Sequence, residues 1–152
     1  MDVMHGGLDT IATALGRPES TTAIGVAKYA GGSAAEVLLT YPDTIVHCSA
    51  SALMPKPYGL RGGYHAVFTD AVVESKWTAG WDGRPTGTLT EYADAGVKNI
   101  DLPAVDTYTA VIDHVLACLG DRSTSRLDPA SVLDSLQLTL DIHHALSGTS
   151  QK

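Results

Sequence analysis

The chain predicts an α+β domain: an open-faced, mostly antiparallel sheet of about six strands with helices packed on one face. Three observations carry that prediction. Residues 2–16 have helical spacing, residues 21–102 break into short β-rich runs divided by Gly, Pro and Asp, and the last third returns to helical spacing. In the first element Leu8, Ile11, Ala12 and Leu15 fall on one helical face, and Gly16 followed by Pro18 supplies the stop. A helix that opens at residue 2 leads us to expect a piece of a longer protein.

Thr21 to Tyr29 mixes β-branched and small residues before Gly31-Gly32-Ser33 breaks it, which predicts a strand and a turn. Ala35 to Tyr41 and Ile45 to Leu53 flank Pro42-Asp43-Thr44, whose Pro and Asp suit a tight turn, so these runs form a hairpin. Residues 54–63 hold two Pro and three Gly and are expected to be loop. Tyr64 to Trp77 reads as one strand with a bend at Thr69-Asp70, and 78–87 as a second loop. Thr88 to Ala93 and Val97 to Leu102 make a last hairpin across Asp94-Ala95-Gly96.

Tyr108, Val111, Ile112, Val115, Leu116 and Leu119 then form one apolar stripe, with Asp106, Asp113 and Asp121 off it, as for a helix packed on a sheet. Asp128 caps a final helix with Pro129 at its first position, and Val132, Leu133, Leu136, Leu140 and Ala145 are expected to point inward up to a stop at Gly148. Residues 148–152 read as a frayed tail.

At 152 residues the chain suits a single domain, burying roughly 70% of its unfolded surface. Ten basic against seventeen acidic residues give a net charge of −7 without a Lys/Arg cluster, which disfavours nucleic acid and anionic membranes. Apolar runs around 23–30 and 34–41 are interrupted by Gly, Lys or Glu, and no signal-peptide pattern opens the chain. Cys48 and Cys118 fall in apolar elements and suit a reducing compartment, so a cytoplasmic protein is expected. The sheet face not covered by the late helices is expected to meet another subunit.

The opening Asp2…Gly-Leu-Asp9…Leu-Gly16-Arg-Pro18, the Leu39-Thr-Tyr-Pro-Asp-Thr hairpin, the Tyr108…His114-Val-Leu…Leu119 helix and the Leu127-Asp-Pro-Ala-Ser-Val-Leu-Asp-Ser-Leu helix follow one another in a specific order. In that order the chain resembles the C-terminal domain of the Gfo/Idh/MocA oxidoreductases, the glucose-fructose oxidoreductase and inositol dehydrogenase family. The resemblance spans nearly all 152 residues, read as a single domain over 1–152. It implies a substrate-binding and oligomerisation domain of an NAD(P)-dependent oxidoreductase that acts on a sugar, polyol or related hydroxylated molecule. It also implies homo-oligomers through the open sheet face, and a preceding Rossmann domain that holds NAD or NADP and is absent from this chain. No strand followed by GxGxxG occurs here, so no cofactor-binding residue is expected, and the domain alone is expected to be inactive. The alternative is a stand-alone dimeric binding or scaffold module without redox activity.

The family helix carries Asp and, four residues on, His, which act on the substrate hydroxyl proton. Asp2 matches, whereas the fourth residue on is Gly6 and the nearby histidine is His5, about 100° around a helix from the family direction. A non-helical turn at Gly6-Gly7 would redirect it. An imidazole titrates near neutrality, so His5 and Asp2 are the candidate catalytic pair; a polar helix start is the plain reading of both. Lys56, Tyr58 and Arg61 lie where the family has its substrate mouth and are the candidate substrate-binding residues, against an ordinary solvated loop. Trp77 and Trp81 flank the next loop and suit either stacking on a sugar or burial beneath it. His143 and His144 diverge by about 100° on a helix, and no Cys/His set at ligand spacing stands out, so no metal site is expected.

Overall fold

The structure is a computed structural model. It describes residues 2–28, 32–79, 86–102, 107–121 and 129–149; the side chains of 2–6, 27, 28, 32, 56, 79, 107, 129–131, 148 and 149 lie outside the description. The elements run α1 (Asp2–Leu15), β1 (Ser20–Lys28), β2 (Gly32–Thr40), β3 (Ile45–Ser51), β4 (Leu60–Val67), β5 (Ala71–Ala79), β6 (Thr86–Ala93), β7 (Gly96–Ile100), α2 (Thr107–Asp121) and α3 (Pro129–Thr149). This is the expected α+β class. The strands form two antiparallel sheets, β1-β2-β3 and β4-β5-β6-β7, in sequence order. Packing divides the chain into two compact units, residues 1–53 with 122–152, and residues 54–121.

In the first unit, α1 and α3 pack on each other and on one face of the three-stranded sheet. Alternation selects that face. Ala23, Val37 and Cys48 stand opposite one another across the strands, as do Thr21, Leu39 and Val46, while the intervening rows face out. Leu8 and Ala12 of α1 and Leu138 and Ile142 of α3 close the core over Ala23, Val37 and Leu39. Gly16 ends α1 at φ 70°, its amide donating to Ala12 O at 2.9 Å. The buried Tyr41 donates its hydroxyl to Gly16 O at 3.2 Å, which pins the helix end to the β2–β3 turn. That turn is the expected tight one, closed by Tyr41 N donating to Thr44 O at 2.9 Å.

Two inward assignments are corrected. Val132, Leu133, Leu136 and Leu140 of α3 are exposed, and the buried positions are Ser135, Leu138 and Ile142, flanked by Ala145 and Leu146. The helix is apolar on two sides, and the side that packs is received closely by β1 at Gly25, where a Cβ would stand 2.9 Å from Leu146 Cδ2. Asp128, the expected cap, lies outside the described residues. The α2 stripe is likewise not covered: Tyr108, Ile112, Leu116 and Leu119 are all more than half exposed.

In the second unit, the expected bent strand over 64–77 is instead the β4–β5 hairpin. Phe68 N donates to Ala71 O at 2.8 Å across its turn. Strand β4 also starts earlier than expected, inside the Gly-rich stretch. Close approach explains why Gly serves there: a Cβ at Gly62 would stand 2.5–2.7 Å from the indole of Trp77, and one at Gly63 would overlap the carbonyl oxygen of Ser75. Trp77 thus covers Gly62, with Gly87 on its other side in the same row. Residues 56–58 form a single 3-10 turn rather than open loop.

Candidate functional site

Asp2 and His5 fall at positions i and i+3 of α1, and their side chains lie outside the described residues. Their backbone settles one expectation: Gly6 and Gly7 are helical, so no loosened turn redirects His5. The helix buries Leu8 and Ala12 against the sheet, and its C-terminal end is held through Gly16 and Tyr41.

In the second unit the 3-10 turn and β4 bring two candidates together. Arg61 Nε donates to Tyr58 O at 3.1 Å, and its guanidinium carbon sits 4.4 Å from the centre of the Tyr58 ring. A cation over an aromatic face, with the backbone taking one N–H, leaves the remaining guanidinium donors directed to solvent. Both residues are exposed. The side chain of Lys56 lies outside the described residues.

Register places Arg61 on a polar sheet face. Arg61, Thr78 and Thr86 make one row; Lys76 and Thr88 the next beside Gly63; His65, Glu74, Thr90 and Asn99 the third. Thr78 Oγ1 and Thr86 Oγ1 lie 2.9 Å apart, Thr90 Oγ1 donates to Asn99 Oδ1 at 3.1 Å, and Lys76 Nζ meets Glu74 Oε1 at 2.8 Å. The Glu74 carboxylate raises the Lys76 pKa, first through their hydrogen bond and then through its charge. Such a face offers hydroxyl and cationic groups to a polyhydroxylated or anionic molecule. A groove of about 340 Å³ opens at the opposite end of the same sheet, between the β4–β5 and β6–β7 turns, lined by Phe68, Asp70, Tyr92 and Asp94. It is remote in register from Arg61.

Trp77 is partly exposed on the other face of this sheet, and Trp81 lies outside the described residues. The rings of His143 and His144 stand 6.4 Å apart at 77° and do not converge. No group of three or more His, Cys, Asp or Glu able to hold a metal occurs among the described residues. In the first unit, burial pushes the Cys48 thiol above its ordinary 9.0; burial and then the Cys48 charge push Tyr41 above 10.0. Those groups serve the core. No helix among the described residues is long and apolar enough to cross a membrane.

The described residues define a fold class first, α+β, with two antiparallel sheets and three helices. The particular likenesses are two crystal forms of UDP-N-acetylglucosamine 3-dehydrogenase GnnA from Acidithiobacillus ferrooxidans. One has a TM-score of 0.80 at 19% identity, over 97% of this chain and 47% of that one. The other has a TM-score of 0.78 at 19% identity, over 95% and 46%. The chain spans just under half of the solved chains, and at this identity the likeness is one of fold. No family model and no curated protein matches the chain.

Proposed function

We propose that residues 1–152 form the C-terminal substrate-binding and oligomerisation domain of an NAD(P)-dependent oxidoreductase of the Gfo/Idh/MocA kind, acting on a sugar, polyol or sugar nucleotide. The observation that carries this reading is the fold likeness across nearly the whole chain to under half of a sugar-nucleotide dehydrogenase. The residues present do not suit a dinucleotide: every strand pairing described is antiparallel, and a Rossmann site needs a parallel βαβ unit with its glycine turn. The nicotinamide, which would accept hydride, therefore belongs to a domain outside this sequence.

Within that reading Asp2 and His5 are the proposed pair for the substrate hydroxyl proton, with His5 one position short of the family histidine on an unbroken helical turn. Lys56, Tyr58 and Arg61 bind hydroxyl or phosphate oxygens, supported by the exposed guanidinium and its hydroxyl-rich sheet face. The surface for self-association is the outer face of the three-stranded sheet, where Ile24, Val26, Leu38 and Ile45 stand exposed around Glu36. A cytoplasmic setting belongs to the same proposal.

The test is a titration of the chain with UDP-N-acetylglucosamine followed by amide NMR shifts. Saturable shifts at residues 56–61 that Arg61→Ala weakens at least tenfold support the reading. Shifts confined to other residues, or indifferent to Arg61→Ala, contradict the assignment of that loop.

A further inference from the structure

The outer face of the three-stranded sheet sets a charged cluster among apolar side chains. Register puts Ile24, Glu36 and Ser49 in one row and Thr22, Leu38 and His47 in the next, with Val26 and Ile45 toward the two ends. Ser49 Oγ donates to Glu36 Oε1 at 2.7 Å, and His47 Nε2 lies 2.8 Å from Glu36 Oε2. The Glu36 and His47 side chains keep 48% and 65% of their surface in water, and Ile24, Val26, Leu38 and Ile45 stand exposed around them. Helices α1 and α3 pack on the opposite face, so among the described side chains Glu36 and His47 are the acid and the base of this face. Lys28 falls on the same face at the far end of β1, and its side chain lies outside the description.

We propose, resting on the self-association reading above, that a second copy of this chain seats on this face and that the Glu36–His47 pair makes the seating depend on pH, tight in mildly acidic solution and weak in alkaline. Charge complementarity favours a like face as the occupant. In a two-fold pairing, Glu36 of each copy can lie against His47 of the partner subunit, so one acid and one base serve both copies. Each protonation state buries a different charge. Near neutrality an imidazole gains or loses its proton while a carboxylate stays charged. With His47 protonated, the interface takes in two ion pairs and no net charge. With His47 neutral, it takes in two carboxylates close together and uncompensated, which is costly away from water. Association therefore takes up protons, and it weakens as pH rises through the imidazole range. Glu36→Gln inverts the dependence, because the charge left to bury is then the imidazolium at low pH.

The experiment measures the self-association constant of the whole chain by sedimentation between about pH 6 and pH 8, in about 0.3 M salt, which screens repulsion between chains of net charge −7. Association at least tenfold tighter at the acidic end is expected. His47→Gln should hold association at the weak, alkaline level throughout, and Glu36→Gln should reverse the direction of the dependence. The pair His143→Asn with His144→Asn, on α3, should leave it unchanged. A dimer of equal affinity at both ends of the range, or a dependence that survives both His47→Gln and Glu36→Gln, overturns the pH control and leaves the interface standing. Absence of a dimer at every pH, or a dimer indifferent to Ile24→Glu, overturns the self-association reading and the pH control with it.

Discussion

At the scale of single residues, the sharpest dependence runs through Tyr41 and Cys48. Both hold their protons more tightly when folded, Cys48 because of burial and Tyr41 because of burial and then the Cys48 charge. Their contribution is complete below the ordinary values of 9.0 and 10.0 and is lost as pH rises through the higher folded values. Urea midpoints should therefore be flat up to about pH 8.5 and fall above it, and Cys48→Ala should flatten the fall. A profile unchanged by Cys48→Ala would remove the thiol from the account. Tyr41→Phe strips the donor from Gly16 O and should cost about 1 kcal/mol in the same assay. Gly62→Ala drives a methyl into the Trp77 indole and should cost about 1–3 kcal/mol, with a change in tryptophan fluorescence. These contacts were not legible in the chain, since the Gly-rich stretch read as loop until a ring on a neighbouring strand needed the space.

Among elements, the helices teach where sequence pattern runs out. The ends of α1 followed from Leu8, Ala12 and the Gly16 stop, because a single apolar face and a left-handed glycine are local signals. The orientation of α3 did not follow. Its larger side chains, Leu133, Leu136 and Leu140, form the more obvious stripe, yet the sheet accepts Ser135, Leu138 and Ile142. Close packing against Ala23 and Gly25 is a tertiary condition that periodicity does not encode. The two stripes can be separated by truncation. Ile142→Ala should cost about 2–5 kcal/mol, whereas Leu140→Ala, on the exposed side, should cost less than about 1 kcal/mol. Chemical denaturation of both variants decides it, and equal losses would contradict the assigned face. The same limit applies to the β4–β5 hairpin: Thr69-Asp70 was recognisable as a bend, but only strand pairing shows that the bend reverses the chain.

For the whole molecule, the class and the order of elements were legible because each strand run is short and bounded by turn residues, and because helices occupy the two ends. The division into two sheets was not, since nothing in a strand names its neighbour. The candidate site was legible only in part: the structure joins Arg61 to Tyr58, while the threonine rows beside them emerge from register alone. The self-association proposed for the outer face of the three-stranded sheet should respond to Ile24→Glu, which places a charge among Val26, Leu38 and Ile45. Sedimentation should then show a shift to monomer at tens of micromolar. An unchanged oligomer would move the interface elsewhere.

The proposed role, substrate and subunit contacts within a redox enzyme, leaves the nicotinamide to residues outside this chain. Titration of the purified chain with NADH and NADPH, followed by nicotinamide fluorescence, tests it most directly. The account predicts no saturable binding of either; micromolar affinity for one of them would contradict it.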